Sequence, residues 1–273
     1  MTASIAAAPP VTATPFRPPL WLIAAVLAAL MMASWTVREW QALWMLRLPD
    51  NDDMMRLAQI RDWIGGQGFN DLMQYRLGPP SGASMHWSRI ADVIPALMVV
   101  MLTPLLGQHG AELAMVILYQ WLVFAIYLLL AARIAGELAG QRAQIFALIL
   151  AVLAFPTISL FLPGRIDHHG LQIVFALVLV HALIAPPSLR QGLIAGLAAA
   201  LSLAVGLEAA PEIVAAIAAL GILWMFGGRA ETRRAIGFGG ALGGVTLALL
   251  LFARPYAWPE QWCDGFTPAS SRA

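Results

Sequence analysis

The sequence predicts an all-α integral membrane protein of about seven transmembrane helices, with a long first outer loop carrying one or two juxtamembrane helices. Three observations predict it. Of 273 residues, 60% are hydrophobic and 11% charged, against about 25% charged in an ordinary globular domain. Apolar runs approach the roughly 20 residues that a helix needs to cross a bilayer. The sixteen basic residues, all arginine, gather in short stretches between those runs. The same composition excludes a soluble enzyme and a disordered chain. A net charge of +1 gives no long-range field for a phosphate backbone, which excludes nucleic acid as a partner. Cys263 is the only cysteine, so no disulfide scaffold can form within the chain.

Residues 1–19, rich in Ala, Pro and Thr, lack the apolar core and cleavage site of a signal peptide and are expected to form a disordered cytoplasmic tail. A polytopic membrane domain is expected over 20–253. Its first span runs from about Leu20 to Val37, and Arg38, Glu39, Trp40 and Trp44 suit a helix leaving through an aromatic interface. The outer loop then covers 47–110, and its polar part, 47–92, holds most of the charge. Within it, Met54, Met55, Leu57, Ala58, Ile60, Trp63 and Ile64 recur at helical spacing, and Gly65-Gly66 stops that helix. Residues 93–106 are apolar but only about 14 long, with Pro95 and Pro104 inside, which fits a re-entrant or interfacial helix. Further spans are expected at 111–132, 143–161, 166–185, 190–207, 209–226 and 235–253. Residues 254–273 form an outer tail that stops without a closing element and are expected to mark a truncated chain.

Arginine orients this arrangement. With the N-terminus in the cytoplasm and 93–106 not spanning, Arg133, Arg142, Arg190, Arg229, Arg233 and Arg234 all fall in short inner loops, as the positive-inside rule asks. The segment 47–92, the loop 162–169, the turn at Glu208 and the C-terminal tail then share the outer face.

Two of those outer segments carry candidate chemistry. Leu48-Pro-Asp-Asn-Asp-Asp-Met-Met-Arg56 places Asp50, Asp52 and Asp53 within four residues. Pro163-Gly-Arg-Ile-Asp-His-His-Gly170 places Asp167 and His169 two apart. Carboxylate with imidazole suits Mn²⁺ or Zn²⁺, and carboxylates with phosphate oxygens suit Mg²⁺. Arg165 adds a forked donor for a phosphate. The plainer alternative makes Asp50–Asp53 and Asp167 helix caps. Together the clusters form a like-charge site that a cation must offset. Glu208 and Glu212, around Pro211 between two apolar runs, are functional suspects of lower weight. His109, Glu112 and His181 are read as structural or solvated. Gly240 to Gly244 and Gly192 to Gly196 give small-residue spacings that allow close helix approach.

These segments resemble the GT-C fold glycosyltransferases, most of all the catalytic subunit of oligosaccharyltransferase and its prokaryotic single-subunit relatives. Asp50-Asn-Asp-Asp-Met-Met-Arg56 has the Asp-to-Arg spacing of the family motif that follows the first span. Ile166-Asp167-His168-His169-Gly170 falls where a second acidic motif stands, with His169 in place of the usual acid, and 93–106 corresponds to the family's juxtamembrane helix. The matched region covers about 20–185; the family's later Glu motif and soluble acceptor domain have no counterpart.

The resemblance implies transfer of sugar from a polyprenyl-(pyro)phosphate donor at the outer face of the membrane, here the periplasmic face of a bacterial inner membrane. It implies Asp50, Asp167 and His169 as ligands of a divalent metal, Mn or Mg, and Arg165 with His168 as donor-phosphate contacts. A carboxylate among Asp50, Asp52 and Asp53 becomes the acceptor base, the acceptor being a protein, a lipid or a glycan. Two alternatives remain open: a metal-independent transferase of single sugars from a polyprenyl monophosphate, with Asp52 and Asp53 as base and partner, and a polytopic transporter using Glu208 on a broken helix.

Overall fold

A computed structural model describes residues 18–78, 80–155 and 157–253; of the tail expected over 1–19 all but residues 18 and 19, and the whole of the one expected over 254–273, lie outside the described residues. The chain folds as helices α1 (Leu20–Arg38), α2 (Trp40–Trp44), α3 (Asn51–Ile64), α4 (Val93–Ala139), α5 (Gln141–Leu153), α6 (His169–Ile184), α7 (Leu189–Val205) and α8 (Ala210–Phe252), with a 3-10 turn at Thr157–Phe161. Between α3 and α4, strands β1 (Met73–Gln74) and β2 (Ala83–Ser84) pair antiparallel, Met73 opposite Ser84 and Gln74 opposite Ala83. Two-residue strands leave no periodic signal, and the sequence reading contains no hairpin.

Among the described residues three helices, α1, α4 and α8, are long and apolar enough to cross a membrane. Helices α5, α6 and α7 are apolar but shorter, at 13, 16 and 17 residues. The run expected at 143–161 stops as a helix at Leu153, just short of Pro156, whose ring disfavours helix in the residue before it. The expected segment 93–106 is helical and runs straight through Pro104. It ends at Gly107, whose φ of 68° and ψ of 169° turn the chain before 108–139 resumes. Residues 210–227 and 229–252 are likewise separated by Gly228, at φ 69°.

Packing follows small and aromatic residues. Ala24, Ala28, Met32 and Trp35 form the buried stripe of α1, at the four- and three-residue spacings that mark one helix face. Opposite them, Trp121 Nε1 donates to the Ala25 carbonyl at 3.1 Å and Trp35 meets Phe124 at 5.6 Å between ring centroids. Phe124, Tyr127 and Phe161 continue that aromatic contact toward the 3-10 turn. Outward, Leu105, Phe146, Leu150, Phe226 and Ile236 are exposed, an apolar exterior suited to lipid.

Helices α7 and α8 touch through glycine. A Cβ at Gly192 would fall on the Arg234 carbonyl, one at Gly196 on the Phe238 carbonyl, and one at Gly237 would lie 2.6 Å from the Leu189 carbonyl. The spacing read from Gly192 and Gly196 thus marks a real contact, whereas Gly240 and Gly244 meet no atom within 4 Å; helical phase turns them away from α7. Gly196→Ala is expected to cost about 1–3 kcal/mol through overpacking, read as a lowered melting temperature in detergent, while Gly240→Ala stays close to the parent.

The two ends of the bundle differ in chemistry. At one end His181 Nε2 pairs with Glu137 at 3.0 Å. There the buried Arg234 also donates to the carbonyls of Leu183 and Ala185 while forking onto Glu231. The other end gathers the N-terminus of α3, the loop before α6 and the turn between α7 and α8, where Ser88 Oγ donates to the Ala204 carbonyl.

Candidate functional site

Asp50 is the N-cap of α3: its Oδ1 accepts from the backbone N–H groups of Asp52 and Asp53, each at 3.0 Å. The capping role read from sequence is therefore real for Asp50, and it coexists with a second one. The remaining oxygen, Oδ2, takes an ion pair from Arg165 Nη1, which also lies 3.2 Å from Asp53 Oδ2. Asp53 is fully buried, and its Oδ1 accepts from the backbone N–H of Asp167 at 2.9 Å. One hydrogen bond thus joins residues 114 apart in the chain.

Asp167 is not a cap. The residue preceding α6 is His168, and no side chain caps that helix. Asp167 Oδ1 instead accepts from the His168 backbone N–H at 2.7 Å and lies 2.6 Å from His168 Nδ1 and 3.8 Å from Arg56 Nη2. Its Oδ2 lies 3.2 Å from His169 Nε2. His168 Nε2 faces Glu208 Oε1 at 3.0 Å, and Gln172 Nε2 donates to Glu208 Oε2 at 2.8 Å. Asp50, Asp53, Arg165, Asp167, His168 and His169 are brought together; Asp52 is exposed and contributes only its backbone N–H.

Sequence reasoning missed the group beneath these residues. Arg56, fully buried, donates to Asp92 Oδ1 at 2.8 Å, reaches His168 Nδ1 at 3.2 Å, and carries its guanidinium 4.9 Å from the centre of the Trp87 ring. Arg89, also buried, donates to the Gln59 and Asp71 carbonyls and to Gln67 Oε1. The available signal was the density of charge between 47 and 92. Glu208 was weighed only as an outlier between apolar runs, and Glu112, read as structural, is buried beneath a forked contact from Arg61.

The electrostatics follow from burial. Desolvation pushes the Asp53 carboxyl from an ordinary 3.8 up to about 7, opposed by Arg165 and reinforced by the neighbouring Asp50. For Asp50, burial is outweighed by the Asp53 backbone N–H and by Arg165, which hold it low. Burial likewise fails to raise Asp167, which His168 and Arg56 hold well below the carboxylate range. Glu208 is held down to about 2 despite burial by its hydrogen bonds from His168 and Gln172. Burial disfavours charge on His168, yet a carboxylate at each ring nitrogen raises its pKa. The shorter of its two Nδ1 contacts decides the proton, placing Nδ1–H toward Asp167.

Asp53 gives a pH prediction. Between about pH 4 and pH 7 the folded protein keeps a proton that the unfolded chain has released, so stability contributed at this site falls as pH rises through that window. Asp53→Asn removes the dependence and keeps an oxygen for the Asp167 N–H. Its melting temperature relative to the parent is therefore expected to rise between about pH 5 and pH 8; an unchanged difference would contradict the shift.

The ligand-type atoms of His168, His169 and Glu208 lie within 4.8 Å of one another. His169 and Glu208 are partly exposed and line a cleft of about 280 Å³ that also includes Gln172, Ile173, Ala209 and Glu212. The donor set of imidazole and carboxylate fits a Zn²⁺- or Mn²⁺-type ion. Asp53 Oδ2, a buried carboxylate oxygen with no hydrogen-bond partner among the described residues, is not part of that group and faces Arg165 Nη1 at 3.2 Å.

By likeness to solved structures, the described helices, with the two acidic segments meeting at one end, have the GT-C fold. No family model and no curated protein matches the chain. Among solved structures it resembles the oligosaccharyltransferase of Archaeoglobus fulgidus. The likeness to that protein's complex with Zn and sulfate has a TM-score of 0.71 at 14% identity, covering 93% of this chain and 33% of that one. The complex of archaeal oligosaccharyltransferase AglB with an inhibitory peptide and a dolichol-phosphate matches with the same TM-score and identity, over 92% and 31%. The form tethered to an acceptor peptide containing the NVT sequon matches at a TM-score of 0.67 and 13% identity, over 92% and 31%. The chain spans about a third of the length of these structures.

Proposed function

We propose that this chain binds a polyprenyl-phosphate-linked sugar and supplies the donor half of a glycosyl transfer. The observation that carries the reading is the Asp53–Asp167 hydrogen bond, which makes one site of two acidic segments distant in sequence. Around it, Arg165 is the donor for phosphate oxygens, with His168 beside it. The amphipathic cleft at His169 and Glu208 offers a lateral approach for a lipid phosphate. Glycosyl transfer builds negative charge on the leaving phosphate, and donors fixed in advance at that position dominate such catalysis.

His169 and Glu208, with His168 between them, would hold a divalent ion, Asp167 standing beside His169 through Oδ2 and Nε2 and Asp50 linked to it through Arg165 and Asp53. Such an ion supplies Lewis-acid neutralisation of the leaving phosphate. Asp53 Oδ2, on a carboxyl titrating near neutrality, is suited to accept the proton of the incoming acceptor.

The orientation of the reading rests on the bundle ends. Arg234, with Arg229 and Arg233 near it in sequence, stands at the end opposite the site, which favours an inner face there and an outer, periplasmic site in a bacterial inner membrane. The described helices are compatible with seven crossings, with 93–106 lying in the interface.

Arg165 already neutralises Asp50 and Asp53, and this specific contact favours a second reading, metal-independent transfer from a polyprenyl monophosphate. Binding of radiolabelled polyprenyl-linked sugars to the protein in lipid nanodiscs, with and without EDTA, separates the two. Donor binding that EDTA lowers by at least about 10-fold supports the metal site, binding that survives EDTA supports the second reading, and no binding of either donor overturns both.

A further inference from the structure

A cleft of about 810 Å³ opens between the starts of α1 and α5. It lies at the end of the bundle away from the acidic site, where α5 begins four residues beyond Glu137, the partner of His181. Both helices pack against α4 and hardly touch each other, which leaves the gap between them open. Its lining changes character with depth. Gln141, Arg142 and Gln144 stand in the first turn of α5, and Ile145 and Leu148 follow in the next. From α1, Leu20 and Ile23 supply the other apolar wall. Arg142 and Leu148 are six residues apart, so about 9 Å of helix separates the charged mouth from the apolar floor.

Charge sets the sign of the ligand. Arg56, Arg61, Arg76, Arg165 and Arg234 each meet a carboxylate. Arg142 is exposed and has no ion pair among the described residues, and no Asp or Glu is among those lining the cleft. Residues 1–17, which precede α1, carry Arg17 and no acid, so they supply no counter-charge. A guanidinium in this state, between two amide side chains, is a forked donor for phosphate oxygens.

The apolar floor sets the rest. A free anion leaves Ile23, Ile145 and Leu148 uncovered. An acyl chain covers them and runs on from Ile145 to the exposed Ile149, one turn deeper on the same helix face. A zwitterionic headgroup would bring its own cation to the mouth and offset the attraction. We propose that this cleft binds an anionic phospholipid, with its phosphate on Arg142 and one acyl chain lying between α1 and α5. In the orientation given above, that lipid belongs to the inner leaflet. The site is remote from the donor cleft, so the two readings stand or fall separately.

The test titrates the delipidated full chain in detergent with phosphatidylglycerol or phosphatidylcholine and reads the first bound lipid by native mass spectrometry. The parent should bind phosphatidylglycerol about 5-fold more tightly, the usual effect of one arginine on an anionic lipid. Arg142→Gln should abolish that preference. Arg133→Gln, at the same end of the bundle but outside the cleft lining, should keep it. Ile145→Trp, which fills the floor and leaves the charge in place, should also weaken phosphatidylglycerol. Equal affinity of the parent for both lipids, or an Arg142→Gln variant that keeps the preference, overturns the proposal. Loss of the preference in Arg133→Gln to the same extent points to the general charge of that end and overturns it too. Inorganic phosphate or glycerol phosphate that displaces the lipid at equal concentration, with Ile145→Trp unaltered, makes the cleft a site for soluble anions and overturns the lipid.

Discussion

Replacing Arg56 by methionine is expected to destabilise the protein by about 3–5 kcal/mol, the usual cost of breaking a buried ion pair from one side. Arg56 has no exposed surface, and neither does its near neighbourhood: Asp92 is 1% exposed and Asp167 5%. The guanidinium donates to Asp92 at 2.8 Å and stands 3.8 Å from Asp167. Methionine fills a similar volume but takes the nearest guanidinium from Asp92, leaving it only Arg89 at 4.0 Å, and leaves Asp167 only its two histidines. The loss should appear as a lower thermal midpoint in detergent. Adding Asp92→Asn should recover part of it, since one of the stranded charges is then gone. If the single variant melts with the parent, or the double variant melts lower still, Arg56 is not the charge that holds this end of α3 to the loop before α6.

Asp167→Ala is expected to lower affinity for a divalent ion, and for the lipid-linked donor, by about 10–100-fold, the range for residues that ligate or orient ligands. Asp167 joins several parts of the site: the His168 backbone and ring, His169 Nε2 and Arg56. Its removal frees both imidazoles and leaves His168 between Arg56 and Glu208, where a protonated ring loses its nearest partner. Asp167→Asn keeps the hydrogen bond from the His168 backbone while losing the charge, so its deficit measures electrostatics alone. Titration with Mn²⁺ followed by electron paramagnetic resonance reads the ion directly, and donor binding reads the consequence. Comparable deficits in Ala and Asn variants identify charge as the cause.

The parts of this site that were legible in sequence owe it to scarcity. With fifteen acidic residues in the chain, three within four positions at Asp50–Asp53 and an Asp beside paired histidines stand out. Arg56 was visible as the end of the Asp-to-Arg motif but not as a buried ion-pair partner, because nothing in periodicity separates a buried arginine from a solvated one. Its partners lie 36 and 112 residues away, a separation that only the fold closes. Glu208 was noticed for its cost inside an apolar run, but its contacts with His168 and Gln172 depend on how α7 turns into α8. The first helix and the buried faces of α7 followed from composition and small-residue spacing. The turns at Gly107 and Gly228 fall in the gaps read between 106 and 111 and between 226 and 235, whereas the short α5 did not follow, since hydropathy alone cannot say where an apolar run stops being helical.

A double-mutant cycle on donor binding tests the single-site claim most directly. Asp50→Ala, Asp167→Ala and the double variant are compared with the parent for a radiolabelled polyprenyl-linked sugar in nanodiscs. Residues that share one hydrogen-bonded network are coupled, so each single variant should lose binding and the double variant should lose markedly less than the combined deficits. Single variants that bind as the parent does, or deficits that add in full, would contradict one site built from residues 50–56 and 165–170.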